Sequence, residues 1–225
     1  MCTEDISLCG PGHSPSATRT TPLTYSEPMS DKEAETSAPV HELIARRWSP
    51  RALDDMADVT ADQLRALLEA ARWAPSFGNT QPARFLVGRR GADTYDRILG
   101  TLTRRNQSWA HRAGALLVVL ALTHNEKGAI PYAEYGAGLA AENLVLQAVA
   151  EGLVAHQMAG FDHEAVSREF GLPDEVRPLV AIAVGGLAEP EVLGEERDIA
   201  RESAPRKRVP LEDFAFTGSW GTPAF

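Results

Sequence analysis

Long uncharged apolar runs are absent from this chain of 225 residues. A membrane-spanning helix needs about 18 or more consecutive apolar residues with few or no charges. The longest candidate, residues 133 to 155, is interrupted by Glu134, Glu142 and Glu151. We therefore expect no membrane association, and we interpret this stretch as containing a buried helix.

Positive charge is also scarce. The chain has 22 Lys and Arg against 31 Asp and Glu, which gives a formal net charge of -9. Nucleic-acid phosphates repel such a protein at long range, so we expect no nucleic-acid partner. Any local group of basic side chains is then expected to serve a local partner.

Cysteine and the common catalytic motifs are nearly missing. The two cysteines, Cys2 and Cys9, have the spacing of neither a zinc knuckle nor a disulfide framework, and we predict free thiols in a reducing cytosol and no metal site. No Walker loop, no Gly-x-Gly-x-x-Gly after a strand and no His-Glu-x-x-His pair occurs. If the protein is an enzyme, a bound cofactor is expected to carry its chemistry.

The first 38 residues have little apolar surface. They are rich in Ser, Thr, Pro and acidic residues, so burial cannot offset the entropy of ordering them. They also lack the charged start and continuous apolar segment of a signal peptide. We predict a disordered tail over 1–38, an ordered domain over 39–225, and a cytoplasmic protein.

Periodic patterns in the ordered part predict alternating helices and strands, hence an α/β or α+β class. The unbroken apolar run 115–122 is typical of a central strand covered on both faces. The segment 133–150 is apolar nearly all round, which places it in the middle of the protein or in a subunit interface. From about residue 187 the chain is predicted to form an arm with aromatic residues near its end. Helices are further expected near 40–48, from Thr60 to Pro75, near 93–104 and from Asp162 to Gly171, and strands at 84–87, 153–158 and 178–185.

Two basic clusters could hold an anion. The segment "RRWSPR" (46–51) places arginines around Ser49, and "RKR" (206–208) lies some 155 residues later. Guanidinium groups match phosphate oxygens in a bidentate way. Spacing alone leaves open that each cluster is only a solvated face. A third unusual stretch, "APSFGNTQP" (74–82), has more turn-forming residues than a simple link between a helix and a strand requires.

These fragments, taken in order, resemble the nitroreductase family of FMN-dependent oxidoreductases. The likeness covers about residues 40 to 210 and rests on "RRWSPR", "LLEAARWAPSFGNTQPARFLV", "GLAAENLVLQAVAEGLVAHQMAGF", "VAIAVG" and "RKRVP". The resemblance implies an α+β fold with a central mixed sheet flanked by helices. It also implies a homodimer with FMN at the subunit interface, the long buried helix at that interface, and a C-terminal arm.

The resemblance also implies roles for individual positions. The early cluster would hold the FMN phosphate and pyrimidine side, and the late basic pair would approach the same phosphate. The polar loop would cover the flavin of the neighbouring subunit, and the turn after "AHQM" would face the ring near N5. A glycine suits that turn because backbone must approach a flat ring. The implied cofactor contacts are Arg46, Arg47, Trp48, Ser49, Arg51, Pro75, Ser76, Asn79, Gln81, Asn106, Met158, Ala159, Gly160, Arg206 and Arg208, with Trp109 and Phe161 as implied substrate contacts.

The activity implied by the resemblance is ping-pong hydride transfer from NAD(P)H through FMN to a nitroaromatic, a quinone or another flat electron-poor acceptor, with the chemistry carried by the flavin. Ala83 and Gly136 depart from the family pattern, where an aromatic and an acidic residue are common, and leave the subfamily open. Two alternatives stay open: a dehydrogenase or deiodinase-like enzyme acting on one metabolite, and a flavin-binding protein without turnover.

Overall fold

The computed structural model describes residues 32–225. Cys2, Cys9 and most of the predicted tail lie outside the described residues. The last part of that predicted tail contacts the domain: the Ala34 N–H donates to the Ala45 carbonyl at 2.9 Å. No helix in the described part of the chain combines the length and apolar character needed to cross a membrane.

Helices and short strands alternate along the described chain. The helices are α1 (Glu42–Arg46), α2 (Ala61–Arg72), α3 (Asp93–Thr101), α4 (Arg104–Ala110), α5 (Ala133–Ala150), α6 (His163–Phe170) and α7 (Glu196–Ser203). The strands are β1 (Leu53–Asp54), β2 (Ala83–Arg89), β3 (Ala115–Leu122), β4 (His124–Asn125), β5 (Gly128–Ala129), β6 (Val154–Met158) and β7 (Val176–Leu187). Short 3₁₀ turns cover Phe77–Asn79, Pro190–Leu193 and Leu211–Asp213.

The main sheet has five strands in the order β1-β7-β3-β2, with β6 pairing to β7 as well. The predicted α+β class, a sheet flanked by helices, is confirmed. The prediction of a mixed sheet is wrong for the described residues, because every pairing in it is antiparallel. Strands β3 and β6, joined through α5, do run parallel to each other. Strand β7 lies between them and runs the other way, so no parallel pair forms.

Strand β3 divides the apolar core into two. Residues Ala115–Ala121 are buried, as predicted for a central strand. Alternate side chains of a strand point to opposite faces, and Leu117 and Val119 pack with α2 and α5 on one face. Leu116 and Val118 belong to the cluster on the other face, which includes α3, α4 and α6. The sheet is therefore covered by helices on both sides.

The strongest local signals gave correct element boundaries. Helix α2 has Thr60 as its N-cap, with the predicted capping box to Gln63. Helix α6 begins at Asp162, whose carboxylate accepts the Ala165 N–H, and ends at Gly171 with φ +58°.

The sequence predicted one helix over 93–104, but helix α3 ends at Thr101, just before Leu102. Leu102 is extended and forms a β-bridge with Phe161. Helix α4 then begins after Thr103. Helix α7, strand β1 and the β4–β5 hairpin were not predicted.

Candidate functional site

The segment from Arg47 to Ala52, called here the arginine segment, is held between α1 and β1. Its end is fixed because Pro50 and Ala52 are buried and β1 pairs with the end of β7. The Arg47 guanidinium donates to the Ser49 hydroxyl at 3.3 Å. Its Nε lies 4.0 Å from the Glu142 carboxylate on α5. Arg47 therefore spans from the arginine segment to the long central helix.

The two basic clusters predicted from the sequence meet in space. Arg206 donates to the main-chain carbonyls of Lys32, at 3.0 Å, and of Ala45 at the end of α1. Burial lowers the pKa of Arg206, and the nearby guanidinium groups of Arg47 and Arg208 lower that pKa further. The C-terminal arm thus brings its charges to the start of the arginine segment. Arg208 is exposed and donates to the Lys207 carbonyl at 2.8 Å.

A second group of like charges surrounds Arg51. Burial lowers its pKa first, and the guanidinium groups of Arg201 and Arg105 also lower it. The carboxylates of Glu202 and Asp198 act in the opposite direction. Neighbouring guanidinium groups that lower the pKa of Arg51 favour a bound anion, because an anion relieves the repulsion between like charges.

The remaining residues of the early cluster differ in exposure. Trp48 is partly buried, with the Lys32 ammonium 4.2 Å from the centre of its ring. Ser49 is exposed. Arg46 ends α1 and is partly buried. The arginine segment therefore carries one hydroxyl and two guanidinium groups, and Arg46 adds a third guanidinium directly before it.

Two residues that the sequence did not indicate hold the arginine segment. Glu202 on α7 is 4% exposed, and one of its carboxylate oxygens accepts the N–H groups of Arg51 at 2.6 Å and Ala52 at 3.0 Å. His156 on β6 donates from Nδ1 to the Pro50 carbonyl at 2.9 Å. Burial lowers the pKa of His156 to about 4, so its ring is neutral near pH 7. No local pattern could have revealed either contact, because each joins residues more than 100 positions apart.

The turn after β6 brings two predicted site residues together. The Asn106 side-chain amide donates to the Gly160 carbonyl at 2.9 Å, and the Thr103 N–H donates to the same oxygen at 3.0 Å. A Cβ on residue 160 would lie 2.7 Å from the Asn106 amide nitrogen. A side chain at position 160 would therefore require the Asn106 amide to move away from the Gly160 carbonyl. Within this turn Met158 is buried and Ala159 is exposed.

The polar loop between α2 and β2 has an unusual backbone. Gly78, Asn79 and Gln81 all have positive φ, at +53°, +56° and +48°. The Ser76 hydroxyl accepts the Gln81 N–H at 2.9 Å, and the Gln81 side-chain amide donates to the Asn79 carbonyl at 3.3 Å. Pro75 is exposed. These hydrogen bonds are internal to the loop and fix its shape. They do not connect the loop to the arginine segment.

A cavity of about 90 Å³ lies where this loop meets α2 and α5. Its walls include Ser76, Pro82 and Gly136, and a Cβ on Gly136 would lie 3.0 Å from Pro82 Cγ. Ligand sites typically measure about 300–1,000 Å³. The cavity that the loop forms in one chain is thus too small for a molecule the size of FMN.

Comparison with known proteins decides the family. The sequence model of the nitroreductase family matches residues 44–102 and 89–186, which together span more than half of the chain. The chain belongs to the nitroreductase family.

Relatives of this nitroreductase-family chain include proteins known from sequence and from crystal structures. A 15.4 kDa protein of Mycolicibacterium smegmatis, described as uncharacterized, is 44% identical over 147 residues, covering 62% of this chain and 99% of the relative. A Streptomyces coelicolor protein named NADH dehydrogenase/NAD(P)H nitroreductase is 30% identical over 172 residues, covering 66% of this chain and 84% of its own.

The fold is also found among solved structures. A structure described as an oxidoreductase containing FMN is 32% identical, with a TM-score of 0.79, and the match covers 85% of this chain and 98% of the other. A nitroreductase of Exiguobacterium sibiricum in complex with FMN has a TM-score of 0.64 at 21% identity, covering 80% of this chain and 98% of the other, and shows the shared fold.

The nitroreductase-family resemblance implied substrate contacts at Trp109 and Phe161, and both side chains are buried in the single chain. Trp109 is 4% exposed and packs on His156 with the ring centres 4.6 Å apart. Phe161 is 6% exposed and stacks on His163 at 4.1 Å. Both belong to the apolar cluster on one face of the sheet. Both rings are therefore part of the apolar core of the single chain, and their contact with a substrate stays a prediction.

Proposed function

We propose that this protein is an FMN-dependent oxidoreductase that takes its hydride from NAD(P)H. The observation that carries the proposal is the meeting of Arg47 with Arg206 and Arg208, which come from opposite ends of the domain. Family membership supports it, and so do the FMN content of a related structure and the NAD(P)H nitroreductase name of a relative.

The residues present fit an FMN phosphate. A phosphate monoester is close to a dianion near pH 7 and presents three acceptor oxygens. Arg47, Ser49, Arg51 and Arg208 would supply guanidinium and hydroxyl donors to it. Because like charges near Arg206 and Arg51 lower the pKa values of both groups, binding a dianion there relieves an existing repulsion. Arg206 would add charge while its bonds to main-chain carbonyls fix the arm.

The chemistry that FMN supplies when bound is hydride transfer, from NAD(P)H in one half-reaction and to a flat electron-poor acceptor, such as a nitroaromatic or a quinone, in the other. The chain's own part is to bind, orient and restrict access. Asn106 fixes the turn at Ala159 and Gly160 by holding the Gly160 carbonyl. That turn would place main chain beside the ring, where a larger residue at 160 would displace Asn106.

A second copy of the chain would complete the site. Aromatic side chains are exposed on and beside the polar loop, including Trp73 at 72%, Phe77 at 56% and Tyr135 at 68%. Exposed apolar groups of this size are typical of interaction surfaces. We propose a homodimer in which the loop of one subunit, through Ser76, Asn79 and Gln81, covers the flavin held by the arginine segment of the other.

Purification followed by spectroscopy tests the proposal. The protein is expected to be yellow with a flavin spectrum, and NADH or NADPH is expected to bleach that colour under anaerobic conditions. A nitroaromatic or a quinone should then restore the oxidised spectrum. Colourless protein that cannot be reconstituted with FMN would contradict the proposal. FMN binding without bleaching by either nicotinamide would instead indicate a flavin-binding protein without this activity.

A further inference from the structure

Glu202 is a buried carboxylate close to the arginine segment, which is proposed to bind an anion. Only 4% of the residue is exposed. Burying a carboxylate is unfavourable unless it is paired and hydrogen-bonded. A negative charge beside a phosphate site also opposes phosphate binding. The contacts of Glu202 must therefore contribute enough to offset both effects.

Those contacts join three separate parts of the chain. One oxygen of Glu202 accepts the main-chain N–H groups of both Arg51 and Ala52. The Glu202 main-chain carbonyl accepts a hydrogen bond from the Lys32 ammonium. The Lys32 carbonyl in turn accepts from Arg206. The start of the described chain, the arginine segment and the C-terminal arm are thus linked through one side chain and its own backbone.

The charge of Glu202 acts on the same groups. Its carboxylate raises the pKa values of Arg51 and Lys32, against the effects of burial and of the neighbouring arginines. Without it, Arg51 would face Arg201 and Arg105 with less compensation. The two hydrogen bonds from the Arg51 and Ala52 N–H groups do not require this charge, because a neutral carbonyl oxygen at the same place can also accept them.

We propose that Glu202 is a positioning residue for phosphate recognition. It fixes the backbone at Arg51 and Ala52 so that the side chains of the arginine segment converge on one phosphate. The inference rests on the proposed function. It predicts that Glu202 governs the preference for FMN over riboflavin, which has the same ring system and lacks the phosphate.

The test compares dissociation constants for FMN and riboflavin, measured by quenching of flavin fluorescence in stripped protein. In Glu202→Ala we expect the preference for FMN to fall by about tenfold or more, the size expected when one charge-assisted contact is lost. In Glu202→Gln the amide oxygen can still accept both N–H groups, and the preference should be retained. Glu196→Gln, which changes an exposed carboxylate on the same helix, is the matched control.

Other results of this experiment would contradict either the positioning role or the proposed function. Equal weakening of both flavins in Glu202→Ala, or an unchanged preference, would overturn the positioning role while leaving the proposed function intact. Wild-type protein that binds neither flavin would contradict the proposed function, and this inference with it. If Glu202→Ala does not fold, Glu202→Asp replaces it, because its shorter carboxylate cannot reach both N–H groups. Its preference for FMN must then fall below that of Glu202→Gln.

Discussion

Arg47 illustrates what a single side chain contributes to the site. Its side chain is only 20% exposed, and its guanidinium lies between the Ser49 hydroxyl and the Glu142 carboxylate. These contacts hold it beside Arg206, where two like charges are unfavourable without an anion. Placement of charge, more than the number of basic residues, distinguishes this group from the scattered arginines of a protein whose net charge is -9.

Arg47→Ala is expected to weaken FMN binding by about 1.5–3 kcal/mol, because one charge-assisted contact to the phosphate is lost. The measurement is the FMN dissociation constant at fixed ionic strength. Arg65→Ala serves as control, since that side chain is 82% exposed on α2 and lies 3.9 Å from Asp62. Wild-type affinity in the Arg47 variant would rule out its phosphate role.

His156 is expected to make the free energy of unfolding depend on pH. Its pKa falls from 6.5 to about 4 on folding because the ring is buried. Between these values the unfolded chain takes up a proton that the folded chain does not. Stability from this residue is therefore complete above pH 6.5 and decreases as the pH falls to about 4, by up to about 3 kcal/mol.

Urea unfolding at several pH values measures this dependence. His156→Asn can keep a donor toward the Pro50 carbonyl and does not titrate, so its stability should fall less steeply than that of the wild type over the same interval. His111→Asn, at an exposed histidine, should follow the wild type. Parallel curves for the wild type and the His156 variant would show that the pKa is not depressed.

At the scale of elements, the polar loop keeps its shape through backbone conformation and internal hydrogen bonds. Asn79 and Gln81 have positive φ, which costs most non-glycine residues about 1 kcal/mol or more. Asparagine tolerates this region better than most residues. The backbone of the loop therefore has a conformational free-energy cost that a simple link between helix and strand would avoid.

Two substitutions at Asn79 distinguish the effect of its side chain on FMN binding from the effect of its backbone conformation. Asn79→Gly accommodates the positive φ and removes the amide, whereas Asn79→Ala removes the amide and strains the backbone. If the amide contacts the flavin of the other subunit, both variants should bind FMN more weakly than the wild type while their far-UV circular dichroism is unchanged. Loss of FMN affinity in the alanine variant alone would assign the effect to backbone shape.

At the scale of the whole molecule, a single chain does not enclose the proposed flavin site. The cavity under the loop measures about 90 Å³, and the rings of Phe77 and Tyr132 lie 5.6 Å apart on the surface beside it. Tyr132 is 70% exposed and has a positive φ of +56° at the start of α5. A second copy covering these rings would both bury apolar surface and enclose the flavin.

Disrupting this surface should therefore remove the cofactor. Tyr135→Glu places a charge on the proposed interface, and we expect it to elute as a monomer with little bound flavin in light scattering coupled to size exclusion with absorbance detection. Met56→Glu is the control, because Met56 is 86% exposed on the link between β1 and α2 and belongs to neither the polar loop nor α5. A Tyr135 variant that is monomeric and still retains FMN would contradict a flavin site shared between subunits.

Much of the secondary structure could be predicted because it depends on neighbouring residues. The capping box at Thr60, the apolar run of β3 and the left-handed cap at Gly171 each act within a few positions of the chain. Helix α7 lacked such a signal. Its sequence "ERDIARES" has few apolar residues, and its docking depends on Glu202, whose partners lie about 150 positions away.

The sequence by itself determined most of the elements, the resemblance to the family and the residue types available for an anion site, since these follow from local pattern and from ordered motifs. Only the tertiary structure decided which residues meet. It brought Arg47 near Arg206, hydrogen-bonded Glu202 to the Arg51 N–H, buried Trp109 and Phe161, and set β7 between the parallel strands β3 and β6. Contacts between residues so far apart in the sequence depend on how the whole chain folds and on which side chains that fold buries. No short segment of sequence determines either.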